Sequence, residues 1–483
     1  MDAVGKTFRT YVRTQEIAGV ELAQADADNF TLSTADALAR VSFWSFSDGP
    51  EIVELAIEDR DREGDPTFFL HFELMDEARA EELFQEMVTE LLKSDLYDPY
   101  RVLLCCTAGM TTGMLAERLT EAAQTLSLDY VFCALPLEEA IAADAAWDAV
   151  LLAPQVGYRR REVQRAFPDA ACVEVPARLF ASLDAGGVLK LVMHVLSDHT
   201  VFPESDGHSL RDVRGVVNDR RVMIIIMIHR RRSSWTGWRI YDHGRVVDYG
   251  HVVRPRLDLR DVEDLVATIS VEGVDVSDLD AIGIAVPGVV DRGTAASGFG
   301  EGDYELGRRL EERYGTRVFV DNNANAAAVG CYVSQQDYDS VVLHTQQTGH
   351  VVGGHGIVVD GHLVKGRGNF AGELAPLASA ALGDVDAEAL RELAWSPEGM
   401  RSLVVPMLCA DMSLVAPDAI YVAVDLLDDM DVLREDLARH LHGFSDHFLP
   451  DLVRVTDYRG LIALGELVLV LQKLNQPRAS RRR

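Results

Sequence analysis

Val102-Leu103-Leu104-Cys105-Cys106-Thr107-Ala108-Gly109-Met110-Thr111-Thr112-Gly113 changes its periodicity within a few residues. An apolar run ends at Cys106, a Gly-bearing loop follows, and from about Thr111 the spacing becomes that of an amphipathic helix. The stretch therefore reads as strand, loop, helix. Three more apolar runs repeat the theme: DYVFCAL (129–135), DAVLLAP (148–154) and AACVEVP (170–176). Helix-like segments begin near Thr111, Leu137 and Arg159, so residues 101–196 predict a four-stranded parallel sheet with covering helices.

A thiol at Cys106 falls where the strand ends and the helix begins. Backbone N–H groups of the loop and first helical turn converge there, and the helix dipole adds positive potential. Such surroundings lower a thiol pKa from about 8.5 to roughly 3.5–7.5, which supplies a nucleophilic thiolate. The same amides would hold a phosphate on sulfur. Gly109 allows close backbone approach, and Thr111 and Thr112 offer hydroxyl donors. The plain alternative is that Cys105 and Cys106 are small apolar residues closing a buried strand. Taken alone, the loop leaves both readings open.

The segment Cys106–Thr112 (CTAGMTT), followed by Leu152-Ala153-Pro154-Gln155-Val156, resembles the IIB component of lactose/cellobiose-type sugar phosphotransferase systems (PTS). That resemblance implies Cys106 as the phosphorylated residue and Thr107, Ala108, Gly109, Met110, Thr111, Thr112 and Gly113 as its phosphate loop. It also implies a phosphorylated IIA donor and a membrane IIC permease as partners. Cys105 falls on an apolar strand position and is expected to be inert. Tyr158-Arg159-Arg160-Arg161 follows the second motif; its arginines read as a solvated helix face, or alternatively as a greeting surface for a phosphorylated donor.

Residues 221–475 resemble the ROK family of sugar kinases and sugar-responsive repressors, which have a two-lobed actin-like ATPase fold. The resembling strings are GIAVPGVVD (283–291), FVDNNANAAAVG (319–330), TGHVVGGHGIVVDGHLVKG (348–366), FAGELAPL (370–377) and RGLIALGELVL (459–469). Kinase parts are missing from them. The family's DxGGT turn reads His229-Arg230-Arg231-Arg232-Ser233-Ser234, without acid or glycine. Asn323 stands at the general-base position, and an amide cannot take the proton. Asp321 is close in sequence but should project elsewhere on an extended chain. His350 and His355 are expected to crowd the second phosphate loop. The strand IYVAVDLLDD (420–429) lacks the Gly-Gly turn for adenosine, Glu373 survives from the family's GEIGH while its His is lost, and only Cys409 remains where many members have a zinc cluster. Asn322, Asn323 and Glu373 are the candidate sugar contacts.

The remaining chain is read more coarsely. Residues 1–97 form a small α+β domain of unknown role: strands at 51–57 and 67–74, then a helix at 77–92 with Ala80, Leu83, Phe84, Met87, Val88 and Leu91 inward. Residues 197–220 read as a linker and 476–483 as a basic tail. A net charge of −31 argues against nucleic acid. Six cysteines without CxxC spacing indicate neither a disulfide framework nor a metal. With no apolar signal core and no run near the ~20 residues of a membrane span, a cytoplasmic protein is expected. The fold class is thus α/β multidomain. The expected function is a PTS protein phosphorylated on Cys106 and fused to a kinase-dead ROK module that senses a sugar or partner, with no cofactor. A homodimer through the ROK part is left open. The alternatives are an active ROK kinase with divergent motifs, or a regulatory scaffold without phosphotransfer.

Overall fold

The computed structural model describes residues 3–475 except 35–36, 47–50, 60–67, 93–99, 108–109, 126–129, 143–146, 168–169, 197–219, 230–233, 257, 272–273, 292–293, 296–303, 336, 383–386 and 442. The expected linker (save Arg220) and the basic tail lie outside the described residues.

The N-terminal part is an antiparallel meander, β1 (Glu21–Gln24), β2 (Asn29–Ser33), β3 (Ala37–Trp44), β4 (Ile52–Asp59) and β5 (Phe68–Glu73), with helices α1 (Ala3–Arg13) and α2 (Glu77–Leu92). The inward set predicted for α2 is buried in full. Sequence reading missed α1 and β1–β3. Arg9, almost fully buried, is held by both oxygens of Glu51 at 2.6 Å and by Asp28 at 2.7 Å. The pairing satisfies a charge that burial alone would penalise.

Next comes a four-stranded parallel sheet of order β7-β6-β8-β9, from β6 (Tyr100–Cys106), β7 (Tyr130–Pro136), β8 (Ala149–Leu152) and β9 (Ala171–Glu174). Its helices are α3 (Met110–Thr125), α4 (Leu137–Ala142), α5 (Arg160–Ala166), α6 (Ala177–Ser182) and α7 (Ala185–Leu196). These strands are near-continuous apolar runs because a parallel sheet is covered on both faces.

Two lobes follow. Lobe I runs β10 (Arg221–His229), β11 (Ser234–Asp242), β12 (Arg245–Arg254), α8 (Arg260–Val271), β13 (Ala281–Val286), the short hairpin β14 (Val290–Asp291) and β15 (Thr294–Ala295), α9 (Leu306–Tyr314) and β16 (Val318–Asn322). Helix α10 (Asn323–Val333) crosses to lobe II, which holds β17 (Val341–Thr345), β18 (Gly354–Val359), β19 (His362–Leu363), α11 (Ala375–Leu382), α12 (Ala387–Leu393), α13 (Pro397–Leu414), β20 (Ala419–Ala423), α14 (Met430–Arg439) and β21 (Asp451–Arg454). Helix α15 (Tyr458–Asn475) returns to lobe I. Strand order is the same in both lobes, β12-β11-β10-β13-β16 and β19-β18-β17-β20-β21: an antiparallel meander whose first strand then takes two parallel neighbours. This duplication is the actin-like architecture.

The run Val222–Ile228 explains the centre of lobe I. Val222, Ile224, Ile226 and Ile228 feed the core shared with α10 and α15, while Met223, Ile225 and Met227 feed the one under α8 and α9. Period-two alternation thus serves two apolar layers at once. Between the lobes, α10 and α15 pack backbone to backbone. A Cβ on Gly465 would stand 1.7 Å from the Ala326 carbonyl oxygen, and one on Gly330 would stand 2.0 Å from that of Leu461.

Both flanking parts are docked on the lobes. Strand β5 bridges to β12 at Phe69–Val253, so the N-terminal meander extends the lobe I sheet. Buried Arg254 binds Glu86 of α2 at 2.5 Å together with Asp261, and Arg79 binds Asp264. The parallel sheet around Cys106 shares one continuous buried cluster with α13 and α14 of lobe II.

Candidate functional site

Cys106 is the last residue of β6, a central strand whose chain neighbours β7 and β8 lie on opposite sides. Successive crossovers therefore diverge there, at the carboxyl ends of the strands, the position where α/β sheets bind ligands. Cys106 is 4% exposed, and its sulfur lies 3.1 Å from Oγ1 of Thr112, itself buried in the first turn of α3. That first turn carries no acid, leaving the helix's positive end unopposed. Thr107 and Thr111 are exposed, so of the two threonines expected to donate, Thr112 is the one on the sulfur. Met110 opens α3 and Gly113 faces open space, while Ala108 and Gly109 lie outside the described residues. Cys105 points into the sheet, where burial pushes its thiol up to about 12.

The turn Pro154–Arg159 follows β8 and is tied to β6 by the Ala153 N–H donating to the Cys105 carbonyl at 2.9 Å. The three arginines after it are not one solvated face. Arg159 pairs with Glu138 and Glu162, Arg160 donates to the Glu392 carbonyl at the end of α12, and Arg161 approaches the Glu392 carboxylate at 3.8 Å. Two of the three thus touch lobe II.

In the two-lobed part, Asn322 caps α10: its Oδ1 accepts from the Asn325 N–H at 3.0 Å and its Nδ2 donates to the Gly288 carbonyl at 2.7 Å. Asn323, next to it, opens the helix half-buried. Glu373 sits beside β18 through a bridge to Gly354, and partial burial raises its carboxyl above the ordinary range. Asn322 and Asn323 are adjacent on the lobe I side; Glu373 stands on the lobe II side.

Asp321 projects away from them, as its extended backbone implies, and is buried between Lys365 at 2.8 Å and Lys473. Fully buried Glu466 of α15 lies against Gly283 of β13. Burial first, and then the charge of Asp321, push its carboxyl up to about 8. Sequence reading passed over this acid, although a lone Glu inside the apolar run LIALGELVLVL is a legible signal.

His355 does not crowd a phosphate cleft. It points into the lobe II core, 4% exposed, with Nδ1 3.1 Å from Asp411 and Nε2 2.6 Å from Nδ1 of His344. The Gln346 amide donates to the His350 carbonyl at 2.7 Å, so its Oε1 accepts from Nε2 of His344 at 3.2 Å. His344 must then accept from His355 through Nδ1. Burial holds His344 well below its usual pKa, in keeping with the neutral ring this chain requires. Alternation along β18 sent His355 inward, a fact its loop-like Gly-rich surroundings concealed.

Among the described residues, three side chains cross the cleft between the lobes. Gln347 donates to the His229 carbonyl at 2.6 Å, Asn369 to the Val290 carbonyl at 2.5 Å, and Lys365 bonds Asp321. Residues 230–233, which replace the family's first phosphate turn, lie outside the described residues. Among the described residues no cluster of three or more His, Cys, Asp or Glu could hold a metal, and no helix is long and apolar enough to cross a membrane.

Comparison with known proteins gives two family matches. Residues 101–185 match the lactose/cellobiose-specific IIB subunit of the PTS, and residues 241–378 match the ROK family. The xylose repressor of Bacillus subtilis is 32% identical over 103 residues, which is 20% of this chain and 26% of the repressor. A glucokinase of Thermotoga maritima is 32% identical over 133 residues, 26% of this chain and 41% of the glucokinase. The chain thus spans about a quarter of the repressor and less than half of the glucokinase. Among solved structures, a ROK-family glucokinase from Streptomyces griseus is 20% identical, covering 52% of this chain and 99% of its own at a TM-score of 0.39. The lactose-specific IIB domain of Streptococcus pneumoniae is 21% identical, covering 19% and 93% at a TM-score of 0.18.

Proposed function

We propose that this chain, which carries a lactose/cellobiose-type IIB domain and a ROK-family domain, accepts a phosphoryl group on Cys106 from a phosphohistidine donor and uses its ROK half to read that state. The observation that carries the proposal is the Cys106 sulfur at the carboxyl end of β6, bonded to Thr112 at the positive end of α3. In the transfer, the Cys106 thiolate attacks phosphorus, an S–P bond forms, the donor's N–P bond breaks, and the imidazole leaves and takes up a proton. The Thr112 hydroxyl donates to sulfur before attack, and the positive end of α3 favours the arriving phosphate. The IIB domain points to a PTS IIA donor, with a IIC permease or a regulatory step downstream.

Several features favour a ROK half that does not transfer phosphate from ATP. Asn323 holds the base position, and Asp321, two residues before it in sequence, is neutralised by two lysines. The lobes are also tied across their cleft. For a sugar, Asn323 and Glu373 remain to meet hydroxyls, while Asn322 is occupied as a helix cap.

The test is a phospho-relay reaction with labelled phosphoenolpyruvate, the general PTS proteins and a cognate IIA. Wild type and Cys105→Ala should take label and Cys106→Ser should not; equal labelling of all three would end the assignment. A parallel assay with ATP and a hexose panel should show no turnover.

A further inference from the structure

Between the IIB-type domain and the ROK cleft runs a continuous set of contacts that neither activity requires. The turn Pro154–Arg159 is bonded to the end of β6 through Ala153 and Cys105, and it leads directly into α5. Arg160, the first residue of α5, donates to the Glu392 carbonyl, where α12 is ending. Two residues on, the Ala394 carbonyl accepts the Gly349 N–H at 2.9 Å, and the Trp395 indole covers Gly349 so closely that a Cβ there would stand 2.4 Å from the ring. Gly349 has φ +82°, a conformation that further confines the position to glycine. It belongs to the loop Gln346–His350, fastened also to the buried His344 through Gln346 and to lobe I through Gln347 and the His229 carbonyl. One short loop therefore touches the helix held by the IIB-type domain, the core of lobe II and the far wall of the cleft.

We propose that the Gln346–His350 loop couples the phosphorylation state of Cys106 to the closure of the ROK cleft, with Arg160 as the connecting group. This rests on the reading of Cys106 as a phosphate carrier. Phosphorylation places about −1.5 to −2 charges at the end of β6, to which the 154–159 turn is tied through Ala153 and Cys105. A turn that adjusts to that charge moves Arg160, and with it the end of α12 and the seat of Gly349. The Gln347–His229 contact across the cleft is then loosened or tightened. By linkage, a ligand that favours one cleft state shifts the phosphorylation equilibrium of Cys106 by the same factor.

Hydrogen exchange of the full chain, read by mass spectrometry over peptides covering 346–354, tests this in two arms. Without phosphate, Arg160→Met should speed exchange at Gly349 on the order of tenfold, the loss expected for one charge-assisted hydrogen bond. Gln347→Leu, which leaves the IIB contact intact, should speed it in the same loop. Unchanged exchange in Arg160→Met overturns the link whether or not Cys106 carries phosphate. In the second arm, charging with phosphorylated IIA should alter exchange of this loop in wild type and leave it unaltered in Arg160→Met. Label on Cys106 with an unmoved loop overturns the coupling and spares the carrier reading; absence of label overturns both.

Discussion

Glu466→Gln tests how charge is arranged where the two lobes meet. Its carboxyl, completely buried between α15 and β13, is pushed up to about 8 from an ordinary 4.5, first by burial and then by Asp321; Lys473 and Lys365 pull the other way. A carboxyl raised in the folded state contributes stability that is present below about 4.5 and lost as pH climbs through 8. Across that window each pH unit is worth about 1.4 kcal/mol, giving a ceiling of roughly 4–5 kcal/mol that charge sharing with Asp321 and the lysines lowers. The amide is isosteric and cannot ionise, so the variant lacks this loss. Thermal unfolding of both proteins between pH 5 and 8 should show the variant's Tm gaining on wild type by about 3–5 °C per pH unit, since 1 kcal/mol moves a domain of this size by roughly 2–4 °C. A difference that stays flat with pH would refute the assignment of a neutral acid at this position.

Two further outcomes are expected. Thr112→Val should slow iodoacetamide alkylation of Cys106 at neutral pH about five- to tenfold, because a hydrogen bond to a charged acceptor exceeds one to a neutral thiol by roughly 1 kcal/mol, and Thr112→Ser should restore the rate; an unchanged rate in Thr112→Val would mean that the hydroxyl does not stabilise the thiolate. Gly465→Ala drives a methyl into the Ala326 carbonyl at 1.7 Å, backbone that cannot step aside, so unfolding free energy should fall by about 1–3 kcal/mol or more; a variant as stable as wild type would contradict the close packing of α10 on α15.

Much of this molecule was legible in its sequence where physics is local. The four apolar runs and the Cys106–Thr112 motif announced the parallel sheet, since strands buried on both faces leave unbroken apolar stretches. The apolar run Val222–Ile228 gives no sign in sequence that it floors two cores, because alternation is invisible when both faces are apolar. What stayed hidden depends on distant partners. Arg160 looked like part of a solvated run until Glu392, far along the chain, came to meet it. His355 looked like a loop residue until β18 turned it toward Asp411. The N-terminal meander gave no sign that it would extend the lobe I sheet, since its docking rests on Arg254 and Arg79 finding acids across an interface.

The central claim is covalent chemistry at one sulfur, and peptide mapping tests it most directly. After incubation with phosphorylated IIA at neutral pH, phosphorus NMR and mass spectrometry of the digested full chain should find one phosphoryl group per molecule, bonded to sulfur, on the peptide containing Cys106. Phosphorus on nitrogen or oxygen elsewhere, or none at all with an active donor, would contradict it.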